Sequence, residues 1–265
     1  LQLGLFGQHP DIYEIHHLHK NPQRKADADR YARVLKKAIE DEDTMSGVAE
    51  EFAALCDEHR AVVYSAEGLS SEGGRPWFHK ANTIEKFFDE PALADVEKKI
   101  LFVYRDIHGF LWSSYRHDAI HGNKNTELGF VKWCEGQFER VASGRPSFLV
   151  GDMAERYASI AGTGNFLALE LEDLIKDPYA FYSRIAKFSG VRCTRKLVNN
   201  ITSNHRNSTD EKLKRVKEEA LLARFVAEKE AGLPDDLREK FDTLFADQQL
   251  RARIAAGSRA HRAEV

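Results

Sequence analysis

The sequence predicts an α/β fold in which a parallel sheet is flanked by helices and the C-terminal part is helix-rich. Three observations lead there. Apolar, strand-forming runs stand at 60–64, 100–104 and 166–171, amphipathic stretches of 3.6-residue period fill the intervals, and helical patterns dominate from 179 onward. Strands separated by helices are joined by crossovers, which is the wiring of a parallel sheet. At 265 residues the length allows one large domain or two small ones, and the interleaving favours a single domain over 1–265.

Taken in order, the chain opens with Leu1 and an apolar, helix-compatible stretch, 1–7, that His9-Pro10 ends. Residues 15–20 read IHHLHK. His16, His17 and His19 fall on different faces of either a helix or a strand, with no acidic or cysteine partner at ligand spacing. The cluster therefore reads as substrate-facing polar groups or plain surface, not as a metal site. Two amphipathic helices follow, at 27–40 (Tyr31, Val34, Leu35, Ala38) and 45–59 (Val48, Phe52, Leu55). The strand at 60–64 closes on Ser65-Ala66-Glu67-Gly68, which leaves a carboxylate at its carboxyl end. By composition 70–76 is loop, and 82–88 and 91–96 are helical pieces.

The strand at 100–104 is preceded by two lysines and stopped by Arg105-Asp106. Gly109 breaks the pattern, and Phe110, Leu111, Ser114 and Tyr115 then recur at helical spacing, so a helix starts near 107–109. In open α/β sheets ligands sit off the carboxyl ends of strands, where Arg105 stands. A guanidinium there grips phosphate bidentately, and Ser113, early in the helix, offers a hydroxyl near unpaired backbone N–H groups; the two suit one anion. His117 and His121 stand four apart without the glutamate of a zinc-binding HExxH and read as exposed. Helices at 130–141 and 148–160 are split by Ser143-Gly144-Arg145-Pro146. Glu172 and Asp173, after the strand at 166–171, are general-acid candidates in isolation, better explained as carboxylates favoured by a helix dipole. Asp177-Pro178 starts a helix at 179–189 with a core stripe of Phe181, Ile185 and Phe188. Residues 192–210 turn to Arg, Asn, Ser and Thr and read as a polar surface segment, and helices close the chain at 211–229, 235–246 and 248–255.

Composition narrows the classes. Charged residues make up 31% and the apolar set 42%, an ordinary globular balance. With 42 acidic against 39 basic residues no global field draws the chain to nucleic acid, so an anion site must be local. Cys56, Cys134 and Cys193 are odd in number and far apart, which gives neither a disulfide framework nor a metal spacing and suits a reducing, cytoplasmic setting. No window reaches the apolar length of a transmembrane helix.

Arg105 followed eight residues later by Ser113, after an apolar strand and before Tyr115, resembles the 3′-phosphate-binding motif of sulfotransferases, whose donor is 3′-phosphoadenosine 5′-phosphosulfate (PAPS). Two more stretches match in order. FLALELEDLIKDPYAFYSRIAKFSGV at 166–191 is similar to the family's strand ending in Glu-Asp-Leu, its Asp-Pro turn and its helix finishing at Phe-x-Gly-Val. AVVYSAEGLS at 61–70 resembles the strand that ends in Ser-x-Glu-x-Leu in many bacterial members.

The resemblance implies a P-loop-like fold, sulfuryl transfer from PAPS to a hydroxyl or amine of a small-molecule or glycan acceptor, and no metal. It makes Arg105 and Ser113 ligands of the 3′-phosphate. Arg195, Lys196 and Arg206 become candidate phosphate contacts, because the corresponding segment folds over the nucleotide in the family; the plain alternative is a polar surface. Glu67 is the general-base candidate, at the end of a strand where cytosolic sulfotransferases carry a histidine, with His16, His17 and Lys20 as rivals. The chain departs from the family pattern at Ile107, where a proline is usual, and at Leu171, where a tyrosine lies against the adenine. The Gly-, Lys- and Thr-containing loop that cradles the 5′-phosphosulfate belongs before Leu1, so the expectation is an N-terminally truncated chain. Two other readings stand beside this one: a P-loop small-molecule or nucleoside kinase, which needs Mg²⁺ and a Walker-type lysine, and a non-catalytic protein of the same fold.

Overall fold

The structure, a computed structural model, describes residues 5–6, 9–16, 21–37, 42–65, 77–120, 122–142, 150–162, 164–203 and 219–255. The chain runs β1 (Ile12–His16), α1 (Pro22–Lys37), α2 (Glu42–Glu58), β2 (Ala61–Ser65), α3 (Trp77–Phe88), β3 (Ile100–Tyr104), α4 (Ile107–Ile120), α5 (Phe130–Ala142), α6 (Val150–Ala161), β4 (Phe166–Glu170), α7 (Leu171–Lys176), α8 (Pro178–Ser189), α9 (Arg195–Ser203), α10 (Glu219–Ala231) and α11 (Asp235–Ala255).

The strands are parallel, as expected, but the single sheet needs correction. Among the described residues they form two pairs, β1 with β2 and β3 with β4. No described strand carries a hydrogen-bond ladder from one pair to the other, so side-chain packing joins them. Strand alternation sorts that packing into layers. Leu101, Val103, Leu167 and Leu169 share one layer with Ile12, Ala61 and Val63, closed by Phe181, Tyr182 and Ile185 of α8 and Val198 of α9. On the opposite side Phe102, Tyr104, Phe166 and Ala168 meet α3, α6 and α11, while Ile15, Val62 and Tyr64 meet α1, α2 and Phe87 of α3. Both faces of each pair are thus covered by helices, the arrangement that parallel strands require.

Three further elements differ from the sequence reading. β1 was not expected, because Glu14 and His16 interrupt its apolar run. The polar segment after 191 contains a helix, α9, whose first turn is capped by Thr194: its Oγ1 accepts the Leu197 N–H at 3.2 Å. The two closing helices are one, α11, since neither Gly nor Pro interrupts 235–255. Caps account for both ends of α8, which were legible, and for the start of α1, five residues before the expected 27. Asn21 Oδ1 accepts the Gln23 N–H ahead of Pro22, Asp177 Oδ1 accepts the Ala180 N–H ahead of α8, and Gly190, at φ 69°, ends α8 in the left-handed region.

α11 is pressed against α6 and the end of β4. Gly151 N donates to Gln248 Oε1 at 2.9 Å, and a Cβ on Gly151 would stand 2.9 Å from the Gln248 carbonyl oxygen, so only glycine allows the approach. One residue on, Gln249 Nε2 donates to Glu170 Oε1 at 3.2 Å. This fixes the carboxyl end of β4. Cys134 is buried, Cys56 and Cys193 are half-buried, and all three are free thiols. No described helix is long and apolar enough to cross a membrane.

Candidate functional site

β3 ends at Tyr104, in register with Glu170 of β4, so Arg105 and Asp106 leave the sheet beside Leu171 and Glu172 of α7. Asp106 shapes the turn into α4. Its Oδ1 accepts the Gly109 N–H at 2.8 Å, and its own N–H donates to Glu172 Oε2 at 2.9 Å. A Cβ on Gly109 would meet Asp106 Oδ2 at 2.8 Å, so a side chain there would push the carboxylate off the turn. Ile107, at the family's proline position, is buried and opens a stripe with Leu111 and Tyr115. The Tyr115 hydroxyl donates to Glu228 Oε2 at 2.7 Å, and Glu228 Oε1 accepts the Phe130 N–H at 3.3 Å, which pins α4 to α10 and α5. His108 Nε2 lies 2.7 Å from Asp242 Oδ1 and ties the start of α4 to α11.

The Glu172 carboxyl is therefore more than a helix N-terminal charge. Burial, and then the hydrogen bond shared with the Asp106 carboxyl, push its pKa up to about 7. Burial alone would raise Asp106 too, but the Glu172 bond and the Gly109 N–H hold it below the usual range. Of the two carboxyls it is Glu172 that holds the proton, up to a pH of about 7. The unfolded chain releases that proton near the ordinary value of 4.5 while the folded protein holds it to about 7, so the pair's contribution to stability falls as pH rises through that window. In Glu172→Gln the amide accepts from the Asp106 N–H and donates to its carboxylate without titrating. We expect the melting temperature of the variant relative to wild type to climb between about pH 5 and 7.5. A difference that stays flat over this range would show that no proton is shared there. Glu14, also pushed up to about 7 by burial, titrates alike in both proteins and cancels.

Arg105 and Ser113 are half-buried, and neither takes a hydrogen bond or an ion pair among the described residues. Ser113 does not sit in the first turn: α4 begins at Ile107, so the hydroxyl lies nearly two turns in, away from the unpaired N–H groups. An anion bound between it and Arg105 would lie along the flank of the helix, not at its N-terminus. One turn further on is Arg116, which the sequence reading missed. It is 7% exposed, its Nε has no hydrogen-bond partner, and burial first, then the Arg105 charge, push its pKa down. Among the described residues, the guanidinium groups of Arg105 and Arg116 and the hydroxyl of Ser113 thus have no hydrogen bond or ion pair.

The other predicted site residues are distributed differently. Arg195 is exposed, at the start of α9, with its guanidinium 4.4 Å from the Tyr179 ring centroid, and Lys196 beside it is exposed. Neither is joined to Arg105 by a contact among the described residues. His16 closes β1, while Glu67, His17, Lys20 and Arg206 lie outside the described residues, as does His121. Leu171 packs on the α8 core layer at the start of α7. No group of three metal-ligating side chains occurs among the described residues.

A family model described as the sulfotransferase domain matches residues 87–252. That is more than half of the chain, and it takes in β3, α4, β4 and the turn geometry around Asp106 and Glu172. The chain belongs to the sulfotransferase domain family. Curated proteins and solved structures give no match. Membership in the sulfotransferase family makes sulfuryl transfer the reaction class, and sulfotransferases in general draw the sulfuryl group from PAPS. The Arg105 turn and Glu172 both lie inside the matched region, whereas β1, β2 and Glu67 precede it.

Proposed function

We propose that this sulfotransferase, acting as one domain, transfers a sulfuryl group from PAPS to a hydroxyl or amine of a small-molecule or glycan acceptor, in the cytoplasm and without a metal. The observation that carries the reading is Arg105 at the carboxyl end of β3 and Ser113 on α4, neither of them hydrogen-bonded or ion-paired among the described residues. A guanidinium and a hydroxyl that take no partner among the described residues suit a phosphate group, and the family's 3′-phosphate motif has this spacing. Arg206, Arg195 and Lys196 remain proposed contacts from the segment after α8; for Arg195 this requires leaving Tyr179.

In the reaction the acceptor oxygen or nitrogen forms a bond to sulfur as the bond between sulfur and the bridging 5′-phosphate oxygen breaks. The acceptor proton passes to a general base, for which we propose Glu67, with His16, His17 and Lys20 as the rivals. The nucleotide leaves as adenosine 3′,5′-bisphosphate. The protein's task is positioning and charge stabilisation, as in phosphoryl transfer.

Thermal unfolding with adenosine 3′,5′-bisphosphate, and separately with ATP and Mg²⁺, tests this against a kinase. A ligand binding the folded state at about 100 times its Kd adds about 2.7 kcal/mol. Stabilisation by the bisphosphate without magnesium is expected. Stabilisation by ATP-Mg²⁺ alone would favour the kinase instead.

A further inference from the structure

Arginines buried in protein interiors stand against carboxylates, because an uncompensated guanidinium is costly to desolvate. Arg116 does not. Among the described residues it has no ion pair, its Nε is an orphan donor, and the charge acting on it is another cation, Arg105. Carboxylates on α4 and its surroundings are committed elsewhere: Asp106 to Gly109 and Glu172, Asp118 to Asn123 and Trp133, Glu228 to Tyr115 and Phe130. Two neighbouring cations that meet no counter-charge among the described residues suit an anion that carries more than one charge.

The helix supplies the direction. Arg116 follows Ser113 by three residues, so the two are neighbours on one face of α4. Helical side chains lean toward the N-terminus, which inclines Arg116 toward the turn of Ser113, and it lies close enough to Arg105 for the two charges to act on each other. Tyr115, locked onto Glu228, fixes the rotation of the helix at this turn.

We propose that Arg116 is a second guanidinium of the Arg105–Ser113 site, and that the site takes a dianionic phosphate monoester. The inference rests on reading that site as the 3′-phosphate pocket and adds to it a selection by charge. Arg105 and Ser113 offer one positive charge, which serves a monoanionic diester as well as a monoester. With Arg116 the site offers two, matched to a terminal phosphate.

The experiment is calorimetric titration of wild type, Arg116→Met and Arg116→Lys with adenosine 3′,5′-bisphosphate and with adenosine 5′-phosphate, alongside the melting temperatures of the nucleotide-free proteins. Arg116→Met should weaken the bisphosphate by about tenfold or more and leave the 5′-phosphate within about twofold, with partial recovery in Arg116→Lys. It should melt no lower than wild type, because an unpaired buried charge has gone. A lower melting temperature with equal loss for both nucleotides would mark a purely structural arginine and overturn the proposal, as would undiminished bisphosphate affinity. Should the Met variant not fold, Arg116→Lys decides: loss confined to the bisphosphate supports the proposal, and no loss overturns it. If wild type itself does not distinguish the two nucleotides, the 3′-phosphate reading fails, and inorganic phosphate then judges Arg116 alone. Thermal protection of wild type that is lost in Arg116→Met or Arg116→Lys upholds the anion site, and equal protection sinks it.

Discussion

Arg105→Ala is expected to abolish the preference of the protein for adenosine 3′,5′-bisphosphate over adenosine 5′-phosphate. Arg105 leaves β3 at its carboxyl end, its guanidinium without a partner among the described residues, on a turn held by the Asp106–Glu172 pair. A charge-assisted contact of this kind contributes about 1.5–3 kcal/mol, so bisphosphate binding should weaken by roughly one to two orders of magnitude while the 5′-phosphate is little affected. Arg105→Lys should restore only part, because the ammonium lacks the fork that grips two phosphate oxygens. The fold gives no reason for collapse, since Arg105 is half-buried and pairs with no carboxylate among the described residues. Equal discrimination in mutant and wild type would remove Arg105 from the site.

The second large effect is on turnover. Glu67→Gln keeps the shape and hydrogen-bonding capacity of the side chain but cannot accept a proton, so it should lower turnover by roughly 10²-fold or more if Glu67 is the general base. Melting temperature and bisphosphate affinity should stay near wild type, which separates a lost base from a disturbed loop. A Gln variant that turns over close to the wild-type rate transfers the role to His16, His17 or Lys20, and single substitutions of those three follow.

How far the sequence carried the reading depended on what each residue's neighbours were. β3 and β4 were legible because unbroken apolar runs stop abruptly at charged residues. β1 was not, because Glu14 breaks its run; the strand is covered on both faces, so even a carboxylate in it becomes buried. α9 was hidden by its Asn, Ser and Thr content, and only Leu197, Val198 and Ile201 give it an apolar face. Arg105 and Ser113 were legible as a spacing within one βα unit. The Asp106–Glu172 pair was beyond such reading, since its members are 66 positions apart and meet only because β3 and β4 are in register. Arg116 did leave a signal: it stands three residues after Ser113 on the same helix, immediately after a core tyrosine. What spacing cannot convey is that no described residue supplies a counter-charge, which depends on every element packed around α4.

In the proposed reaction the carboxyl end of β3 recognises the nucleotide by its 3′-phosphate. Calorimetric titration of the wild-type protein with adenosine 3′,5′-bisphosphate and adenosine 5′-phosphate, in buffer without magnesium, measures this directly. We predict that the bisphosphate binds more tightly by about tenfold or more, the equivalent of one charge-assisted contact. Equal affinity for the two nucleotides, or no binding of either, would contradict it.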